Sequence, residues 1–307
     1  MEKESAGTMS LASAYSECRV IARREAKNFY YAFVALPESR RNAICAIYAF
    51  MRQADDLADD ESLSRADRRV QLDTWLCAWH AASKGEETID PVFLAVKDAM
   101  ERFGIPGALL DELVAGVTMD LEAGESAEPV TYATFDELYR YCYLVASVVG
   151  LVCIRIFGYS DKRAEKLAEE TGIAVQLTNI LRDVAEDAER KRVYLPLDMM
   201  ARHDVTVDGL LGRTAGAAPS EKERALLSEI GNRAQEYYRS AQELLPLIDR
   251  ESRPALWVLV RIYHGLLKRI EAADYDVFSR RASVPTAEKL AILAGGMARI
   301  GWARMFG

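Results

Sequence analysis

Residues 176–196 read QLTNILRDVAEDAERKRVYLP. Asn179, Asp183 and Asp187 recur at i, i+4 and i+8, so on a helix they form one stripe along one face. Ile180, Leu181 and Val184 flank that stripe with apolar surface, which turns it toward the interior rather than toward water. Glu186 and Glu189 fall elsewhere and read as solvated acids. The stretch predicts a long, partly buried helix carrying acids on an inward face.

The same helical period extends outward through nearly the whole chain. No segment sustains a two-residue alternation, so no sheet is expected. Helices are expected over about 11–36, 38–60, 64–84, 90–103, 106–122, 133–158, 161–191, 221–247, 252–278 and 285–303. The first ends before Pro37, because the residue preceding proline is pushed out of the α region. Residues 122–130 and 203–220 read as loops, and the first ten residues as loose chain. The 18 Gly and 9 Pro fall mostly between periodic segments. With no repeat and no domain boundary, the expectation is one all-α domain spanning residues 1–307.

Composition narrows the function classes. Of 307 residues, 50% are hydrophobic and 28% charged, which excludes a disordered or fibrous chain. A formal net charge of −8 argues against a general nucleic-acid binder, which needs an excess of Lys and Arg. Cys18, Cys45, Cys77, Cys142 and Cys153 are odd in number and show no CxxC spacing, so they read as small buried hydrophobes in a reducing compartment. The N-terminus has acids and no continuous apolar run, and is not read as a signal peptide. The most apolar stretch, 141–154, is shorter than a bilayer span and is followed by Arg155, which favours a buried core helix.

A second acidic run lies at the end of another helix: Arg52-Gln-Ala-Asp55-Asp56-Leu-Ala-Asp59-Asp60. Asp55 and Asp59 are one turn apart, as are Asp56 and Asp60. Like charges at that spacing destabilise a helix, and a helix C-terminus disfavours anions. The preceding residues, AICAIYAFM (43–51), are almost wholly apolar. Taken alone, the run reads as a solvated helix end. Together with the 179–187 stripe it reads as half of a site for hard divalent cations, since Mg²⁺ takes oxygen ligands from a few carboxylates and from substrate phosphates. Arg52, Arg182, Arg190, Lys191 and Arg192 stand beside the two stripes, where they can meet phosphate oxygens.

These motifs resemble the squalene/phytoene synthase family of head-to-head prenyl synthases. The resemblance is carried by Phe29-Tyr-Tyr-Ala-Phe33 with Leu36-Pro37, by Tyr48-Ala-Phe-Met-Arg52 leading into Asp55-Asp56-x-x-Asp59, by Tyr141-Cys-Tyr-x-Val-Ala146 with Val149-Gly150, and by the 176–194 stretch. A weaker match is Tyr263 with Tyr275-Asp-Val-Phe-x-Arg280-Arg281. It implies an isoprenoid-synthase helical bundle around a central cavity. It also implies that Asp55, Asp59, Asn179, Asp183 and Asp187 hold Mg²⁺, and we take Asp56 of the same run with them. Lys27, Arg52, Arg192 and Arg280 would hold diphosphate, joined by Arg182 and Gln176. Tyr141 and Tyr263 match tyrosines of the reaction cavity, and Arg52 is counted with them as a catalytic group. Ala46, Phe50, Val145, Val149, Leu177 and Leu181 are the expected cavity walls. Three positions depart from the family pattern: Ser147 stands where Gly is common and would narrow the helix near the prenyl chains, Ala185 replaces a Gly, and Glu25 stands where some relatives carry His or Ser.

The FYYAF…LP wording favours two farnesyl diphosphates as substrates and presqualene diphosphate or squalene as product. Phytoene from two geranylgeranyl diphosphates, or dehydrosqualene, is the alternative, and a non-catalytic assembly protein is the alternative of another class. NADPH enters only if the product is squalene. A cytoplasmic protein is expected, with the 289–307 tail either packed on the bundle or resting peripherally on a membrane. The sequence leaves the oligomeric state open.

Overall fold

The computed structural model describes residues 9–123, 128–214 and 216–306, and side chains for these except 27, 28, 123 and 299–306. Most of the expected loose N-terminus lies outside the described residues. Fourteen α-helices follow one another among those described: α1 (Leu11–Glu25), α2 (Lys27–Val34), α3 (Glu38–Ala58), α4 (Arg65–Ser83), α5 (Pro91–Phe103), α6 (Gly107–Ala123), α7 (Phe135–Cys142), α8 (Val148–Phe157), α9 (Arg163–Glu189), α10 (Leu197–Arg202), α11 (Val207–Leu211), α12 (Glu221–Leu244), α13 (Arg253–Ala272) and α14 (Thr286–Phe306).

Local chemistry sets many of the ends. Ser10, Ser64 and Thr134 accept a backbone N–H three residues on, and Asp90 caps α5 ahead of Pro91. Ser220 and Glu223 form a reciprocal capping box at the start of α12. Gly104 closes α5 in the left-handed region at φ 61°.

The structure departs from the sequence expectation in several places. The helix expected over 11–36 breaks at Ala26, where ψ of −5° turns the chain into α2. No Gly or Pro marks that break. The run from Phe135 to Phe157 is interrupted by a π-helical segment at Tyr143–Ser147. Residues 207–211 form the short α11 inside an expected loop. Finally, Val130–Thr131 pairs in parallel with Arg192–Val193, a two-residue ladder in a chain expected to have no sheet. The ladder pins the start of the 130–134 segment to the end of α9.

The helices pack in two groups. α1, α3, α4 and α5 bury one apolar core, within which Phe50 packs against Trp75, Trp79 and Phe93 at centroid distances of 4.7, 4.9 and 6.4 Å. α9, α12 and α13 bury a second core around residues such as Leu177, Leu181 and Tyr238. α8 and the π segment lie against α9. There a Cβ on Gly172 would stand 2.5 Å from Ser147 Cα, so only glycine permits the approach. Ser147 is fully buried, and its hydroxyl donates to the Glu169 carbonyl at 2.6 Å. It faces α9 rather than a cavity, contrary to the expectation that it narrows the space near the prenyl chains.

Counted as a whole, the Phe135–Phe157 run is long and apolar enough to cross a membrane, with mean hydropathy 1.7. Its packing against α9 and α6 makes it a core element of the bundle. α14 rests on α13 and α2, leaving Leu290 and Met297 exposed.

Candidate active site

A cavity of about 670 Å³ lies between α2, α3, α8, α9 and α13. Its walls are apolar: Phe29 and Phe33 come from α2, Ile47 and Met51 from α3, Val175 from α9, and Leu259 from α13. One end is polar, where Asp55, Gln176, Asn179, Arg182, Arg281 and Lys289 meet. Tyr263 lines the wall and its ring lies 5.5 Å from that of Phe29.

Two of the six expected wall residues, Val145 and Val149, face this space. Ala46, Phe50, Leu177 and Leu181 do not line it; they are fully buried in close-packed core. Helical period identifies a buried face, but not whether that face meets a side chain or a void.

A second, smaller cavity of about 140 Å³ opens beside the first and shares Asp55 with it. Asp59, Asp120, Arg65, Arg68 and Arg192 complete its charged lining. Asp120 is an acid of α6 set between Met119 and Leu121, and the Tyr141 hydroxyl donates to it at 3.5 Å. Tyr141 itself lines neither cavity. It is buried and stacks on Tyr194 at 5.0 Å, and Tyr132 stacks on Tyr194 at 5.9 Å. Its reach to the site runs through Asp120.

The two acidic stripes differ electrostatically. Burial pushes the Asp55 carboxyl up to about 7, and Asp59 beside it adds to the rise. Burial likewise pushes Asp187 up to about 7, with Asp183 one turn away contributing. Asp120 is pushed up to about 6 by burial, partly offset by Arg192. Burial would also raise Asp183, but hydrogen bonds from Arg182 and Arg281 hold it below the usual carboxylate value. Arg281 reaches Asp183 at 2.7 Å and Glu186 at 3.2 Å.

Several expected residues sit apart from this geometry. Asp56 is exposed, lines neither cavity, and pairs with Arg52 one turn back. Arg52 is thereby held on its own helix, with its Nε buried and unpartnered. Arg280 is exposed and lines neither cavity; its neighbour Arg281 takes the place expected of it. The side chain of Lys27 lies outside those described. Sequence reading missed Arg281, Asp120, Arg65, Arg68 and Lys289. Arg281 stood inside the quoted Arg280-Arg281 pair, and Arg65 and Arg68 follow the acidic run by one short loop. Asp120 carried one faint signal, an acid between Met119 and Leu121.

Divalent-cation binding can be tested against these residues. Asn179 donates to Gln176 at 3.3 Å while its Oδ1 is buried without a partner, an oxygen aimed at nothing in the chain. Asp55 and Asp187 are half-buried acids, each raised by burial and by a neighbouring acid, and a cation beside either would relieve that repulsion. Among the described residues no three His, Cys, Asp or Glu side chains close into a cage by themselves. Mg²⁺ completes its octahedron with water and phosphate oxygens. The donor set fits.

The profile of the squalene/phytoene synthase family matches residues 22–288. This chain belongs to that family. It is 33% identical to the 15-cis-phytoene synthase of Synechococcus elongatus over 302 residues, covering 94% of each chain. It is 36% identical to the phytoene synthase of Arthrospira platensis over 293 residues, covering 91% of each. A dehydrosqualene synthase crystal structure superposes with a TM-score of 0.81 at 28% identity, covering 95% of this chain and 98% of that one. The squalene synthase HpnC of Alicyclobacillus acidocaldarius gives 0.77 at 25% identity, covering 87% and 96%. The fold is therefore the isoprenoid-synthase bundle, and the chain is a prenyltransferase of the head-to-head condensing type.

Proposed function

We propose that the chain condenses two geranylgeranyl diphosphates into phytoene, with Mg²⁺. The observation that carries this is the set of phytoene synthases, 33–36% identical over nine-tenths of the chain. It replaces the farnesyl-based expectation drawn from the FYYAF wording. Cavity length accommodates it. Fourteen residues of α9 separate Arg182 at the polar end from Ala168 at the other, a run of about 21 Å at 1.5 Å per residue. Four isoprene units extend to about 20 Å and three to about 15 Å, taking bond lengths near 1.5 Å.

In this reading Asp55 on α3 and Asp59 at its C-cap, with Asn179, Asp183 and Asp187 on α9, would hold Mg²⁺, which would neutralise diphosphate charge as the allylic C–O bond breaks. Arg182, Arg281 and Lys289 meet phosphate oxygens at the polar end of the cavity. The walls around Phe29, Phe33 and Val175 exclude water that would capture the allylic cation. The double bond of the second substrate attacks that cation, and loss of a proton closes a cyclopropane. A second ionisation and rearrangement end in proton loss, so phytoene formation requires no hydride and NADPH has no part.

The test is incubation of the purified protein with Mg²⁺ and either farnesyl or geranylgeranyl diphosphate, with and without NADPH, followed by lipid mass analysis. A C40 hydrocarbon indifferent to NADPH is expected. A C30 product formed in preference would overturn the chain-length reading and restore the squalene branch.

A further inference from the structure

The small cavity beside Asp55 holds two cations that neither the motifs nor the reaction cavity account for. Arg65 lies at the start of α4 and makes no hydrogen bond or ion pair among the described residues. Arg68, one turn on, donates to the Ala58 carbonyl at 3.0 Å and to nothing else there. The Nε of each is buried and has no acceptor. Asp55, Asp59 and Asp120 share the lining and Arg68 acts on Asp60, but none forms an ion pair with either guanidinium. A half-buried guanidinium with no ion-pair partner loses hydration that the chain does not return, which marks a place for an anion from outside.

The rest of the lining agrees. Asp120 is engaged by Tyr141 and lies near Arg192. Asp55 and Asp59 are the acids assigned above to a divalent cation. With those acids neutralised, Arg65 and Arg68 leave the cavity positive. At about 140 Å³ it has the room of four or five waters, at about 30 Å³ each. That is space for a pair of phosphate groups and too little for a prenyl chain. It adjoins the reaction cavity only at Asp55, at the polar end.

We propose that Arg65 and Arg68 bind inorganic diphosphate in this side cavity, drawing the departed group away from the allylic cation. The inference rests on the prenyl-condensing reading, because that chemistry releases diphosphate beside Asp55. It adds a product seat on the α4 side of α3, separate from the cations at the mouth of the large cavity. Removal of the leaving group suppresses its recombination with the cation.

The test titrates inorganic diphosphate, in the presence of Mg²⁺, into the wild-type protein and into Arg65→Ala, Arg68→Ala and the double variant by calorimetry. Each loss is expected to weaken binding about tenfold, with Arg65→Lys recovering part of it. The same variants should raise the constant for product inhibition by diphosphate and increase bridge-to-nonbridge ¹⁸O scrambling in recovered substrate. Circular dichroism melts check folding, and if the double variant unfolds, the single variants decide. Unchanged diphosphate affinity in the folded variants overturns the proposal. A wild type that makes C30 product or none would overturn the phytoene reading instead, since the calorimetric titration contains no prenyl chain.

Discussion

Asp55 of α3 and Asp183 of α9 stand in acidic runs of similar spacing but have opposite surroundings. On α9, Asp183 is already held by two guanidiniums, from Arg182 beside it and from Arg281, 98 residues on. On α3, Asp55 is half-buried with Asp59 as its largest electrostatic neighbour, and Arg52 is turned to Asp56. Asp183 is neutralised by the chain itself, whereas Asp55, like Asp187 one turn further along α9, is left for a cation from solution. The acidic motif alone therefore does not define the electrostatics; the elements packed over it do.

The strongest way to break this comparison is to remove one acid from each side. Asp55→Asn and Asp183→Asn are each expected to cut kcat by about a thousandfold, the scale of losing a preorganised electrostatic group. Their effects on stability should be opposite. Without metal at neutral pH, Asp55→Asn relieves a buried carboxylate and should raise the melting temperature. Asp183→Asn leaves Arg182 and Arg281 without their shared partner and should lower it. Paired melts and product assays check both. Shifts of the same sign would mean that the two stripes are electrostatically alike.

A smaller effect separates two adjacent arginines. Arg281→Ala should lower kcat/KM by about ten- to a hundredfold, as expected for a charge-assisted contact to phosphate. Arg280→Ala, exposed and outside both cavities, should stay within about twofold. Steady-state kinetics on both variants decide, and a reversed order would return the site role to Arg280.

These results show what the sequence made readable. Both acidic stripes, the helical fold and most helix ends were legible, because period and caps are local signals. Gln176, Asn179, Arg182 and Tyr263 line one cavity. The break at Ala26, the π segment and the Val130–Arg192 pairing were not legible, since packing across the bundle imposes them. Arg65, Arg68 and Asp120 joined the site only when α4 and α6 folded against the end of α3. The choice between Arg280 and Arg281 depended on the path of the 273–285 segment, on which helical period has no bearing.

The last prediction follows from protons. Asp55 and Asp187 have folded values near 7 and Asp120 near 6, all above the ordinary 3.8 of a free aspartate. Between about pH 4 and 7 the folded chain therefore binds more protons at these groups than the unfolded chain. Stability at these positions falls as pH rises through that window. Asp183 has the opposite sign, but its depressed value confines its contribution to acid pH, where stability is lost as pH falls below the usual carboxylate range. Near neutrality the raised acids dominate. The metal-free protein should melt several degrees lower at about pH 7.5 than at about pH 5.5. Mg²⁺ binds the ionised carboxylates, so it should raise the melting temperature more at the higher pH and flatten the profile. Asp55→Asn should remove part of the slope, while Arg281→Ala should leave it nearly unchanged in this range. Scanning fluorimetry with EDTA or Mg²⁺ across the window measures all of this. A metal-free melting temperature that climbs with pH would show that Asp55 and Asp187 are ionised and compensated in the folded chain, and that they are no less neutralised than Asp183.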